Sequence, residues 1–386
     1  MRDLNQLAAK KETTPGTAMT GFTSADVYVR LRDESAPDIS ADPIETGEMQ
    51  ASSSSRPVGM GIRNFKATAS WVLRPSATPL TAAPPSDIFL EMGLLKRNQI
   101  KSIAIGAVTG GPFKNLEIIR VAGVDRGIVF RDTAATPLKY YVIAGAIASA
   151  EVITGATSGA TATASAGPTD AGQLYMLTDS DFIGAGDSKH HCTLEWMRGG
   201  YFWQGRGVIG ELTWQFRNGL PCYLKQDLVG AWSSEGDKAM YSISTYPDEA
   251  QAAPRFVNAQ FVMDGFSPTD IVDFNLNLPL GIELREDAND ASPEGVRFAD
   301  YDRRNSPPVI TFEPAMVSKA TYDFFGKYKA ESTFAATWKL GTKFTFYADE
   351  CQLVGAGAGA RRSLATTPIQ LRLCGKTNNE IQIYAA

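Results

Sequence analysis

Between residues 191 and 230 the chain reads HCTLEWMR, GG, YFWQGRGVIGELTWQFR, NG, LPCYLKQDLVG. Apolar and polar positions alternate with period two, which predicts three strands separated by two tight turns. Asn218-Gly219 is the stronger turn signal, because a type I′ turn needs positive φ at both central residues, and Gly199-Gly200 can serve likewise. Two-residue loops would place Arg198 opposite Tyr201, Trp196 opposite Trp203, Arg217 opposite Leu220 and Trp214 opposite Tyr223. Leu212, Trp214 and Phe216 then face one side, and Thr213, Gln215 and Arg217 the other. One face is predicted to lie in a core and one in water. Residues 207–217 would run about 35 Å at 3.3 Å per residue, which is scaffold length rather than active-site loop length.

The same reading divides the rest of the chain. Residues 1–60 form a poorly periodic N-terminal arm broken at Pro15-Gly16, Ala36-Pro37 and Asp42-Pro43, with serines at 52–55. One strand is expected in it, over 26–32, where Val27, Val29 and Leu31 alternate with polar residues. Such an arm either is disordered or orders against a neighbouring subunit. On the second reading, deleting residues 1–50 leaves a folded protein that fails to polymerise. Residues 61–99 begin the main domain, with a strand over 63–74 (Phe65, Ala67, Ala69 and Trp71 inward). A short helix capped by Ser86 or Asp87 follows, and it carries Ile88, Met92 and Leu95. Residues 100–170 are rich in Gly, Ala and Thr and are expected to form a small β insertion, with strands at 116–121, 127–130, 139–143, 151–153 and 160–164. Residues 171–386 complete the main domain. Strands are expected over 253–264 and 270–283, where Phe274, Leu276 and Leu278 alternate with Asn275 and Asn277. A helix is expected over 314–328, opened by Glu313-Pro314. Val317, Thr321, Phe324, Phe325 and Tyr328 would pack on the sheets, with Lys319, Asp323 and Lys327 turned away. Strands at 333–340, 342–347, 352–354, 369–373 and 380–384 close the chain.

Composition and charge narrow the function. With 386 residues, 44% hydrophobic and 20% charged, the chain can bury a sizeable core. Its net charge, 37 − 42 = −5, disfavours clamping of duplex DNA, which calls for a basic surface. No secretory signal is expected from residues 1–11, and no apolar run reaches membrane-span length. Cys192, Cys222, Cys351 and Cys374 have no CxxC or zinc spacing and are expected to be reduced and mostly buried.

Catalytic signatures are missing. His190 and His191 are adjacent on a strand, so they point apart and cannot share a metal, and a solvated role is expected for them. A Cys192–histidine pair carries less weight than that. Neither HExxH nor GxSxG occurs. GATSG at 155–159 lacks the Gly-Lys-Ser/Thr ending of a phosphate loop. Asp287, Asn289 and Asp290 lack calcium-loop spacing and are expected to form a solvated turn. GAGAGARR at 355–362 is expected to be a flexible loop carrying Arg361 and Arg362. No catalytic, cofactor-binding or metal-binding residue is assigned, and no cofactor is expected. Carboxylate pairs for glycoside chemistry are a matter of three-dimensional separation.

Several stretches in order carry a resemblance. They are PIETGEM (43–49), APPSDIFLEMGLLK (83–96), AEVITGATSGATATAS (150–165) and KHHCTLEWMRGGYFWQGRGVIGELTWQFRNGLPCYLKQDLVG (189–230). The helix at 314–328, WKLGTKFTF (338–346) and NNEIQIYA (378–385) follow. Together they resemble the major tail tube proteins of long-tailed, siphovirus-type bacteriophages. The resemblance implies a mainly β, sandwich- or barrel-like tail tube domain with a flanking helix. It also implies six copies in a ring, rings stacked into a tube, and DNA passing through the lumen without specific binding. Implied partners are further copies of the chain and the tape measure, terminator and distal tail proteins, with no membrane. The implied place is the virion tail, assembled in the bacterial cytoplasm, and the implied role is not enzymatic. The arm and the GAGAGARR loop are the candidate contacts between copies. The alternative is a glycan-binding β-sandwich module of a virion using Trp196, Trp203 or Trp214, and a third reading is a glycoside-active enzyme with a carboxylate pair.

Overall fold

The alternating pattern folds almost entirely into strands in a computed structural model that describes residues 5–44, 59–78, 80–177, 190–287, 295–302, 306–375 and 379–386. The chain is mainly β. β1 (Asn5–Lys11) precedes a long hairpin of β2 (Ala36–Ile44) and β3 (Gly59–Val72). A one-and-a-half-turn helix, α1 (Asp87–Met92), follows, then β4 (Leu95–Ile103). The insertion holds β5 (Ile118–Val121), β6 (Val124–Val129), β7 (Leu138–Val142), β8 (Val152–Gly155) and β9 (Thr161–Thr163). β10 (Thr169–Leu177) leads back to the meander of β11 (Cys192–Arg198), β12 (Tyr201–Arg217) and β13 (Tyr223–Asp237). Then come β14 (Val262–Met263), β15 (Asp273–Leu278), β16 (Ile282–Glu286), β17 (Val296–Tyr301) and β18 (Val309–Phe312). After α2 (Phe324–Ala330) the chain ends in β19 (Thr333–Leu340), β20 (Phe344–Ala356), β21 (Gly359–Arg361), β22 (Leu364–Thr366), β23 (Ile369–Cys374) and β24 (Gln382–Ala385).

Antiparallel neighbours run β2–β3–β13–β12–β15–β18–β23–β20–β19–β14. β11 and β1 extend from the first half of β12. β24 lies beside the start of β20 and joins β10 and β4, from which the insertion hangs. The sheet turns back on itself. Trp214 on β12 meets Phe346 on β20 at 5.3 Å, and Phe274 on β15 meets Trp338 on β19 at 5.0 Å. Trp71, Trp196, Trp214 and Trp338 have no exposure. Each such ring buries about 150–250 Å², worth about 4–6 kcal/mol as an upper bound by area. The insertion has its own core around Ile119, Val129, Leu138, Tyr140 and Ile153.

The predicted inward faces hold: Phe65, Ala67, Ala69 and Trp71 on β3, Leu212, Trp214 and Phe216 on β12, and Phe274, Leu276 and Leu278 on β15 are all buried. The insertion strands fall close to their expected places. Arg198↔Tyr201 and Trp196↔Trp203 are paired as predicted. At the second turn the register is one residue off, with Trp214 opposite Leu224 and Gln215 opposite Tyr223. Of Asn218 and Gly219 only Gly219 has positive φ (+80°), so the turn is not type I′, and Leu220 N closes it onto Arg217 O at 3.0 Å.

Other expectations are corrected. Within residues 1–60 the described part is built into the sheet: β1 pairs along β11 from Asn5↔Arg198 to Lys11↔Cys192, and Leu7, Ala8 and Ala9 have no exposure. Residues 26–32 bury Val27 and Val29 but form no strand, since a 3-10 turn (Ser24–Asp26) precedes them and Arg32 N reaches Ser70 O alone. PIETGEM beyond Ile44 and the serines at 52–55 lie outside the described residues. The strand expected over 253–264 shrinks to β14. The helix expected over 314–328 is only α2, capped by Asp323, whose carboxylate accepts Gly326 N at 2.8 Å. Pro314 O, the first carbonyl such a helix would use, instead accepts from Thr367 N at 3.1 Å, and Ala315 bridges Thr366 as a strand does, so no helix starts at Pro314. Phe325 and Tyr328 are consequently about half exposed, at 48% and 46%. GAGAGARR is part strand: β20 runs into Ala356, and β21 pairs with β22.

Candidate assembly surface

Away from the core, β3, β13, β12, β15, β18 and β23 present one continuous polar face, roughly 24 Å wide at 4.8 Å per strand spacing. Its rows follow from register. One runs Lys225, Thr213, Asn277, Val309, Arg372, and the next Tyr223, Gln215, Asn275, Thr311, Gln370. The middle strands, β15 and β18, therefore contribute two amides, one hydroxyl and the half-buried Val309. Toward the margins some charges come in pairs, while Arg372 on β23 is exposed. Lys225 lies 3.1 Å from Asp227, which also accepts a 2.7 Å hydrogen bond from Thr68, and Arg217 lies 3.6 Å from Asp273. Such exposed pairs add only about 0–1 kcal/mol each, so their effect here is to cancel charge rather than to stabilise. Glu211, on the same face, is held by Leu280 N (2.9 Å) and Gly281 N (3.0 Å).

The residues singled out by chemistry fall elsewhere. His190 and His191 are buried, not solvated, and they do point apart. Nδ1 of His190 lies 3.1 Å from Glu91 O, and Nε2 of His191 lies 2.8 Å from Ala299 O. Burial holds the His191 imidazole below its usual range, against the pull of Ala299 O and Asp300. All four cysteines are free; Cys192, Cys222 and Cys351 are buried, Cys374 is half-buried, and burial pushes every thiol up. Trp196 and Trp214 offer no surface to a sugar. Trp203 is half-buried, edge-to-face with Tyr201 at 4.9 Å. Asp287 pairs with Arg297 at 3.8 Å, while Asn289 and Asp290 lie outside the described residues. Arg361 is tied to Glu313 O and Asp270 O, and Arg362 sits at the β21–β22 turn with φ +55°. Among the described residues no cluster of three or more His, Cys, Asp or Glu could hold a metal, and no helix is long and apolar enough to cross a membrane.

Buried carboxylates escaped the sequence reading, Glu12 and Glu117 among them. Glu12 accepts from Gly16 N (2.7 Å), Thr193 Oγ1 (2.8 Å) and Gly207 N (2.7 Å); burial pushes its carboxyl up against those bonds and Arg206. Glu117 accepts from Lys114 N (2.6 Å), Thr157 N (3.2 Å), Ser158 N (2.9 Å) and Ser158 Oγ (2.8 Å). GATSG thus does cradle an anion, and the anion is the chain's own side chain. Only Gly16 N and Lys114 N are local donors; the others lie 40 to 195 residues away along the chain, where no local pattern announces them. The sequence matches no protein-family model and no curated protein.

Proposed function

We propose that this chain is a structural subunit, not an enzyme, that polymerises as stacked six-membered rings into the tail tube of a long-tailed bacteriophage. The tube conducts DNA, and the subunit's place is the virion tail, assembled in the bacterial cytoplasm. Its partners are further copies and the tail proteins at the tube's ends and within its lumen. The observation that carries the reading is the broad polar face of the sheet. Duplex DNA carries one charge per roughly 1.7 Å, so a lumen rich in free cations would hold it. A wall in which amides and hydroxyls predominate, with Arg217 and Lys225 beside carboxylates and Arg372 exposed, offers a phosphate backbone less grip than a wall of cations. The net charge of −5 is in keeping with such a wall. Six is the number the family resemblance supplies.

Negative-stain electron microscopy of the purified chain tests this. Hollow tubes or stacked rings are expected. Single particles at every concentration, together with glycan-array binding that disappears in Trp203→Ala, would replace the proposal by the glycan-binding alternative.

A further inference from the structure

One hairpin stands outside the main sheet. Among the described residues β16 and β17 pair with each other, from Ile282↔Tyr301 to Glu286↔Val296, and with no other strand. Leu280, Ala299 and Tyr301 pack with Leu94 and Ile209 in a small core, against which Ile282 and Leu284 lie. At its base the hairpin is fixed by Glu211, which accepts from Leu280 N and Gly281 N, and by Asp302 N on Gly281 O at 3.2 Å. Two side chains from the main sheet fasten β17. Arg206 on β12 donates to Val296 O at 2.8 Å, and His191, one residue ahead of β11, reaches Ala299 O.

Of these two fastenings only His191 changes charge with pH, since a guanidinium stays protonated. Ala299 O accepts and cannot donate, so the neutral ring carries its proton on Nε2. A second proton must go to Nδ1. His191 is 2% exposed, and its Nδ1 has no hydrogen-bond partner among the described residues. The Phe298 ring stands edge-on to the imidazole at 5.2 Å. Neighbouring charges are engaged elsewhere. On the hairpin, Asp300 accepts from Arg285 Nε and from Tyr301 N, and Arg297 pairs with Asp287. Beyond β1, Glu12 donates its N–H to His191 O, while its carboxylate accepts from Gly16, Thr193 and Gly207 beside Arg206. Lys11 pairs with Glu91, to whose carbonyl His190 also turns. An imidazolium at 191 would therefore be buried with no acceptor for its new N–H, whereas water at an opened hairpin supplies one.

We propose that His191 is an acid-released latch: when its ring takes up the second proton, the β16–β17 hairpin comes away from the main sheet, which stays folded. The latch works within one subunit, whatever that subunit assembles into. Opening uncovers Leu94 and Ile209. The open ring titrates at its ordinary 6.5 and the closed ring lower, so opening rises as pH falls below 6.5, by up to about tenfold per unit, until the closed ring's own value is reached. Glu12 has the opposite sign: acid favours its buried form, so it cannot drive the opening.

Hydrogen exchange of the full chain between about pH 7.5 and 5, corrected for the intrinsic rate and read by mass spectrometry, tests the latch. Residues 282–286 and 296–301 should lose protection with that slope while β3 and β20 hold. His191→Gln, whose amide donates to Ala299 O at every pH, should remove the pH dependence. Deuterium uptake at the imidazole C–H of wild-type protein, resolved by tandem mass spectrometry, should give His191 a midpoint below 6.5. Hairpin protection that ignores pH, a loss spread over the whole sheet, or a pH dependence retained in His191→Gln overturns the latch. An ordinary His191 midpoint overturns it too, whether or not the variant folds.

Discussion

Replacing Glu117 by Ala should unfold the insertion and spare the main sheet. The Glu117 side chain is 5% exposed in total and accepts four hydrogen bonds, three from backbone N–H groups of Lys114, Thr157 and Ser158. Bonds to a charged acceptor contribute about 1.5–3 kcal/mol each, and a buried donor left without a partner costs about 1–3 kcal/mol. Water entering the vacated space recovers part of this, so a net loss of about 3–5 kcal/mol is expected. That is a shift of at least a hundredfold in the local folding equilibrium, at about 1.4 kcal/mol per decade. The insertion has a core separate from the main one, which makes the loss local. Hydrogen exchange followed by mass spectrometry should show faster exchange across residues 103–164, with β12 and β20 unchanged. Glu117→Gln, which keeps one acceptor oxygen, should lose less. Because the alanine variant leaves a nest of N–H groups, millimolar phosphate should slow its exchange again and leave the wild type unaffected. Wild-type exchange rates in Glu117→Ala, or a loss spread evenly over both cores, would refute the reasoning.

Three further perturbations are specific. Gly207 has φ +57°, and an added Cβ would stand 2.6 Å from Phe298 Cα and closer still to its Cβ, so Gly207→Ala should cost about 2–4 kcal/mol in a denaturant melt. His191 is held below its ordinary value of 6.5, so its contribution to stability is complete above about that pH and is lost as pH falls through the window beneath it. Glu12 has the opposite sign, since its carboxyl is raised above 4.5 and its contribution fades as pH rises through the folded value. The stability difference between wild type and His191→Gln should therefore narrow on acidification below pH 6.5, and a difference independent of pH would count against the assignment. Removing residues 1–12 should abolish cooperative folding seen by calorimetry, because Leu7 and Ala9 belong to the main core and Glu12 holds Gly207.

Legibility followed burial. β3, β12 and β15 each have one buried face, so period-two alternation showed both the strand and its inward side. β10 is buried over Ala171–Leu177 on both faces, and β1 over Gln6–Ala9, so alternation vanished and both strands went unseen. The spacing at 317, 321, 324, 325 and 328 suits a helix, but the strand-like bridge of Ala315 to Thr366 and the bond of Thr367 N to Pro314 O took its first carbonyl. Val27 and Val29 show the converse: alternation can fill a core without a ladder. The register at Asn218-Gly219 turned on one φ angle that the residue types did not dictate. The polar face was legible strand by strand in Thr213, Gln215, Asn275 and Asn277, while its continuity came only from pairing order. The carboxylate cradles and the histidine contacts join residues far apart in the chain, which no local pattern encodes.

Sedimentation velocity over a wide concentration range puts the assembly claim to its most direct test. Growth from a 41.6 kDa species to rings and then to particles of indefinite length is the expected result. A single boundary at the monomer position, unchanged up to millimolar chain, would contradict it.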